Sequence, residues 1–300
     1  FMGKASGYNN NTGIANTFIG YESGCSNTSG SENVFIGYLS ADGNTVGNYN
    51  VFIGPSSGFN NITGSSNIFI GRASGYNNST GGCNVFIGQN AGCAMTTKSA
   101  SVFIGHNAGQ NSTREGVFIG SSAGYNNQSA LNTFIGSIAG YCNTTGASNT
   151  FVGDSSGYGN TTGKENTFIG RSTGSCNSTG SRNTFIGNYA GNANRSGVSN
   201  VFIGNDVGSA NRTGSSNVFI GNCTGSLGQD EFTARVHSPP PAILDLVFPP
   251  GWVARAGLRL DVVPPHVLGA GPIGPDVLAG DAASVATDAL IEVEHHCGLG

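Results

Sequence analysis

Asn166-Thr167-Phe168-Ile169-Gly170-Arg171-Ser172-Thr173-Gly174-Ser175-Cys176-Asn177-Ser178-Thr179-Gly180-Ser181-Arg182 is one turn of a rhythm that fills three quarters of this 300-residue chain. The Phe-Ile-Gly triplet, or a close variant, recurs with its phenylalanine at Phe1, Phe18, Phe35, Phe52, Phe69, Phe86, Phe103, Phe118, Phe134, Phe151, Phe168, Phe185, Phe202 and Phe219. The step is 17 residues except from Phe103 to Phe118 (15) and from Phe118 to Phe134 (16). A fixed period this short marks a stacked repeat protein, each unit burying its apolar face against its neighbours.

Only the Thr/Val-Phe-Ile run of each unit favours strand, and Gly and Asn punctuate the rest. No window has apolar residues at helical spacing, and interior glycines cost a helix about 1 kcal/mol each. These features predict an all-β fold, a parallel β-solenoid or β-roll with 17-residue coils over residues 1–225. Fourteen coils stacked at strand spacing make a rod about 65 Å long. Recurrent glycines supply the positive φ that tight corners need.

The asparagine before each strand is expected to form a ladder with Phe and Gly at the same rungs: Asn132, Phe134 and Gly136; Asn149, Phe151 and Gly153; Asn166, Phe168 and Gly170. Alternation puts Thr/Val and Ile on one side of the strand and Phe on the other. Both sides are apolar, and a narrow coil can bury only one. The spare column is therefore expected to meet another chain, most simply around a threefold axis shared by the Phe column.

Charged residues make up 9% of the chain, and there are 50 glycines, an unusual composition for a globular enzyme. Residues 1–225 carry nine Lys/Arg and seven Asp/Glu with no basic stripe, which argues against nucleic acid as a partner. No run approaches the ~18 apolar residues of a membrane span. Phe1 already stands inside a repeat, as expected of a piece of a longer chain. The cysteines form no framework: Cys25 and Cys93 share one repeat position and Cys142 and Cys176 another, none with a match in the adjacent coil.

Eleven repeats carry Asn-x-Ser/Thr in the second turn, including Asn143 to Thr145, Asn160 to Thr162 and Asn177 to Thr179. Each has the form of a glycan acceptor, but Asn and Thr also serve as turn residues bonded to their own backbone, and that reading is preferred. Asn143, Thr145, Asn160, Thr162, Asn177 and Thr179 are the candidate surface-binding turns. The irregular stretch from Cys93 to Gly116 is the candidate place for a specialised loop.

Enzymatic chemistry finds little support. Gly-x-Ser-x-Gly occurs around Ser56, Ser122, Ser155 and Ser172, but it follows from the repeat, and His106 is the only histidine before residue 226. The repeat carboxylates share no column, and Arg182, Arg195 and Arg212 have no acidic partners, so a β-helix carbohydrate-active enzyme is the runner-up reading. An ice-binding solenoid ranks lower, because its Thr-x-Thr ranks are missing. No catalytic residue, cofactor or metal site is expected.

Residues 226–300 hold nine of the ten prolines, the only Trp, no Asn and no Lys, with three Arg against nine Asp/Glu. Such a Pro/Ala-rich tail is expected to be weakly structured, with Ala242 to Phe248 as a short strand and Ala282 to Glu294 as a helix candidate. It reads as a linker with a small cap, a disordered acidic tail, or an out-of-frame translation. His295-His296-Cys297 is read as solvated tail rather than a metal site.

The stretches Asn132 to Ala147 and Asn183 to Gly197 resemble the repeats of bacterial and phage surface fibres. Their Asn-Thr/Val-Phe-Ile-Gly core is similar to the Asn-Ser-Val-Ala-Ile-Gly core of YadA-like heads in trimeric autotransporter adhesins, and to Phe-Ile-Gly arrays of tail-fibre-like proteins. This resemblance, over residues 1–225, implies a parallel β-roll packed as a homotrimer on an extracellular, cell-surface or virion fibre. It further implies attachment to host glycan or matrix protein without catalysis. The period is longer here, and Phe replaces a small residue. The Ser–Lys pair of the self-cleaving chaperone domain that ends some such fibres has no counterpart, since residues 226–300 lack Lys.

Overall fold

The computed structural model describes residues 1–225 and, beyond them, only the backbone of two three-residue strands. Thirteen strands, from β1 (Thr17–Ile19) to β13 (Val218–Ile220), form one parallel sheet in strict chain order. Each is three residues long except β7 (Gly116–Ile119) and β8 (Asn132–Ile135). Register follows the repeat, with Phe18 opposite Phe35 and Phe168 opposite Phe185, and Met2 adds a bridge to Ile19 below β1. This is the parallel β-solenoid. Beyond it, β14 (Ala234–Val236) pairs antiparallel with β15 (Leu244–Leu246). The helix candidate at Ala282 to Glu294 and the His295-His296-Cys297 cluster lie outside the described residues. Among the described residues no helix is long and apolar enough to cross a membrane.

The core is a single column of phenyl rings. Phe18 through Phe202 are fully buried at every rung, and neighbouring rings stack 4.6–5.2 Å apart from Phe1 to Phe219. This corrects the expectation of a Phe column on a shared axis. The phenylalanines lie inside each chain, and the spare apolar side of the strand is the Thr/Val and Ile side.

The corners explain the glycines. Gly136 has φ +136°, and a Cβ there would lie 2.3 Å from the Gly153 carbonyl oxygen of the next coil. Gly174, at φ +57°, lies under the Phe168 ring, where a Cβ would come within 2.5 Å of Cε2. Side chains also occupy the left-handed region twice in most coils, as at Ser155 (φ 57°) and Glu165 (φ 57°). Their backbone N–H groups donate to the preceding coil, Ser155 to the Ser137 carbonyl at 2.9 Å and Glu165 to the Ala147 carbonyl at 3.0 Å. The lateral hydrogen bonds hold a conformation that such residues otherwise avoid.

Candidate functional site

Two asparagine columns line the interior. In the one preceding the strands, Asn132 Oδ1 accepts from the Asn149 backbone N–H at 2.9 Å, and Asn149 Oδ1 from that of Asn166 at 2.9 Å. Most of the amide nitrogens donate to a glycine carbonyl of the next coil, as Asn149 Nδ2 does to Gly163 at 2.8 Å. Asn132, Asn149 and Asn166 are buried.

The second column changes the reading of the turns. Asn143, Asn160 and Asn177 are fully buried, so they are not surface-binding residues. Asn160 Nδ2 donates to Asn143 Oδ1 at 2.7 Å and to the Gly163 carbonyl at 3.1 Å, and Asn177 Nδ2 donates to Asn160 Oδ1 at 2.8 Å. A buried amide needs partners for its donors and its acceptor, and the adjacent coils provide them. The glycan-acceptor form of these sites is therefore masked in the folded rod.

Thr145, Thr162 and Thr179 remain exposed, and their hydroxyls have no partner in the protein. The hydroxyls one residue earlier are spent on the backbone, Thr144 on the Thr161 carbonyl at 2.9 Å and Thr161 on the Ser178 carbonyl at 2.9 Å. What these three turns offer a ligand is thus one free threonine hydroxyl each, at the coil spacing.

The stretch from Cys93 to Gly116 carries no projecting loop. Its coil is two residues short, and it interrupts both ladders instead. Met95 occupies an asparagine rung and is fully buried, leaving Asn78 Oδ1 without a partner. Ser101 takes a rung of the other column with its hydroxyl unpaired, and Gly116 follows it.

Reactive chemistry does not assemble among the described residues. Ser56, Ser122, Ser155 and Ser172 sit at the left-handed corner, and His106 makes no side-chain hydrogen bond. No three His, Cys, Asp or Glu side chains come together to hold a metal ion. Burial pushes the thiols of Cys25, Cys93 and Cys142 up, away from the nucleophilic thiolate. Burial, then the neighbouring Glu22 charge, raises the Asp42 carboxyl.

The third candidate surface is the outer side of the sheet. Its residues are Thr, Val and Ile, half-buried by their neighbours within each column and more open at Ile19, Ile169 and Ile203. No rung carries Thr on both sides of its Phe, so ice-type Thr-x-Thr ranks are missing from this face as well. Compared with family models, curated proteins and solved structures, the chain has no significant match.

Proposed function

We propose that this chain is the rigid structural and adhesive region of a fibre displayed on a cell surface or virion. In this reading three copies run side by side outside the cell, and the polar turns hold host glycan or matrix protein without catalysis. The observation that carries it is the column of exposed threonines, represented by Thr145, Thr162 and Thr179, whose free hydroxyls ride on a fully buried asparagine ladder. One hydroxyl per coil binds weakly. The same hydroxyl repeated along a stiff rod binds through effective concentration, gaining as much as 10²–10⁴ over a single contact, at about the scale known for linked sites.

The test is binding of the full chain to arrays of glycans and matrix proteins, beside the triple variant Thr145→Ala/Thr162→Ala/Thr179→Ala. The expected result is binding to a repetitive polymer that falls at least about tenfold in the variant while its far-UV circular dichroism is unchanged. Equal retention of variant and parent would remove the turns from the function.

A further inference from the structure

Every outward position of the thirteen strands is β-branched: Thr, Val or Ile before each phenylalanine, Ile or Val after it. β-branched side chains have few χ1 choices, so this face is stiff and its shape is set in advance. None of its residues is charged. A sheet face meant for water ordinarily alternates to polar side chains and carries charges against edge-on and face-on association. Some of these residues remain open, Ile169 at 39% and Ile19 at 38%.

The charges stand beside the face instead. Glu32, Glu165 and Arg182 lie on the corner before the strands, and Arg72, Asp154 and Arg171 on the corner after them, all exposed. An apolar, charge-free centre with a polar rim is the anatomy of a protein–protein interface. Thirteen strands at ladder spacing, three residues wide, make a face of roughly 60 by 10 Å, or about 600 Å². That stands at the top of the ~300–600 Å² of the largest patch on a typical monomer. It also approaches the ~800 Å² that one partner contributes to a standard interface.

We propose that a second copy of this chain covers the Thr/Val–Ile face, and that the Phe column has no part in the contact. A long, straight, uncharged surface asks for a partner equally long, straight and uncharged, and the chain itself presents one. A glycan would leave its hydroxyls facing methyl groups along most of that length. The inference rests on the fibre reading for the number of copies and deepens it by naming the surface that joins them.

The experiment is sedimentation velocity on the full chain at micromolar concentration, with two substitution pairs on the face and one control. The parent is expected to sediment as an oligomer. Ile135→Lys/Ile169→Lys is expected to sediment as a monomer with unchanged far-UV circular dichroism, whereas Thr162→Lys, on the turn, stays oligomeric. Should the lysine pair misfold, Ile135→Ser/Ile169→Ser is expected to weaken self-association about tenfold or more. A monomeric parent overturns the proposal, as does a folded lysine pair or serine pair that associates like the parent. Either failure leaves turn-dependent glycan binding to stand or fall on its own assay.

Discussion

Asn160 and Thr162 belong to one turn and one sequence motif, yet their side chains work in opposite directions. Asn160 is fully buried and satisfies Asn143, Asn177 and Gly163, while Thr162 faces water unpaired. Removing the Asn160 amide strands the Asn143 acceptor, worth ~1–3 kcal/mol when buried unpaired, while the Gly163 carbonyl keeps its bond from Asn149 Nδ2. Asn160→Ala is therefore expected to cost about 1–3 kcal/mol by denaturant unfolding, and Thr162→Ala less than about 0.5. The first column's interior place was legible from its position beside the strand. The second was not, because Asn-x-Thr-Gly has the composition of an exposed turn and its amides find partners only once coils stack. Backbone geometry gives a matched pair at the same scale. Gly136→Ala, with its Cβ 2.3 Å from a carbonyl oxygen, is expected to lose more than about 3 kcal/mol. Glu165→Gly, which relieves an exposed left-handed residue, is expected to gain about 1 kcal/mol. A raised Asp42 carboxyl means the folded state holds its proton more tightly, so stability falls as pH rises from the ordinary carboxylate pKa through the raised one. Asp42→Asn should then raise the melting temperature at pH 7, and that advantage should vanish on acidification below the ordinary carboxylate range. A gain that persists there would mean the charge is not its cause.

The strand was readable as a strand, but which of its faces points inward was not, since Phe on one side and Val, Thr and Ile on the other are all apolar. What decides it is the glycine six residues after each phenylalanine. At Gly174 the missing Cβ leaves room for the Phe168 ring to lie on the backbone, a space no outward ring would need. Ala41 holds the same position at φ 53°, so one methyl can be accommodated where the coil adjusts. The ring column is then the element that ties coils together: Phe168 stacks on Phe151 and on Phe185 at 4.8 Å each. Phe168→Ala removes a fully buried ring and both stacks, for which about 3–5 kcal/mol is the expected loss. Amide hydrogen exchange should show the loss confined to the coils of Phe151, Phe168 and Phe185, because each coil touches only its neighbours. Uniform loss of protection from end to end would show a single cooperative rod instead.

In a solenoid, overall stability is close to a sum of coil terms and junction terms, so one weak junction divides the molecule. The two junctions on either side of the Phe86 coil, with Phe69 and with Phe103, are the weakest on structural grounds. Met95 and Ser101 replace the two asparagines, Asn78 Oδ1 and the Ser101 hydroxyl are left unpaired, and Gly116 breaks the first ladder once more. Elsewhere the second turn is tied across coils, as Thr161 and Thr162 are to the Ser178 carbonyl at 2.9 and 3.0 Å, but Thr96 and Thr97 donate to nothing in the coil after them. Sheet and ring column run on through the gap, with Phe103 and Phe118 stacked at 4.6 Å and β7 paired with β8 over four residues. The rod thus keeps its core there while losing its polar lacing. Because a lost junction lowers the coupling between the blocks on either side, unfolding should proceed in two steps, with residues 93–116 exchanging their amide protons faster than 40–90 or 140–200. Hydrogen exchange read by mass spectrometry on the full chain decides it: protection at 93–116 equal to that of the flanking coils would mean the phenyl column alone sets the strength of each junction, and the asparagine ladders add only register.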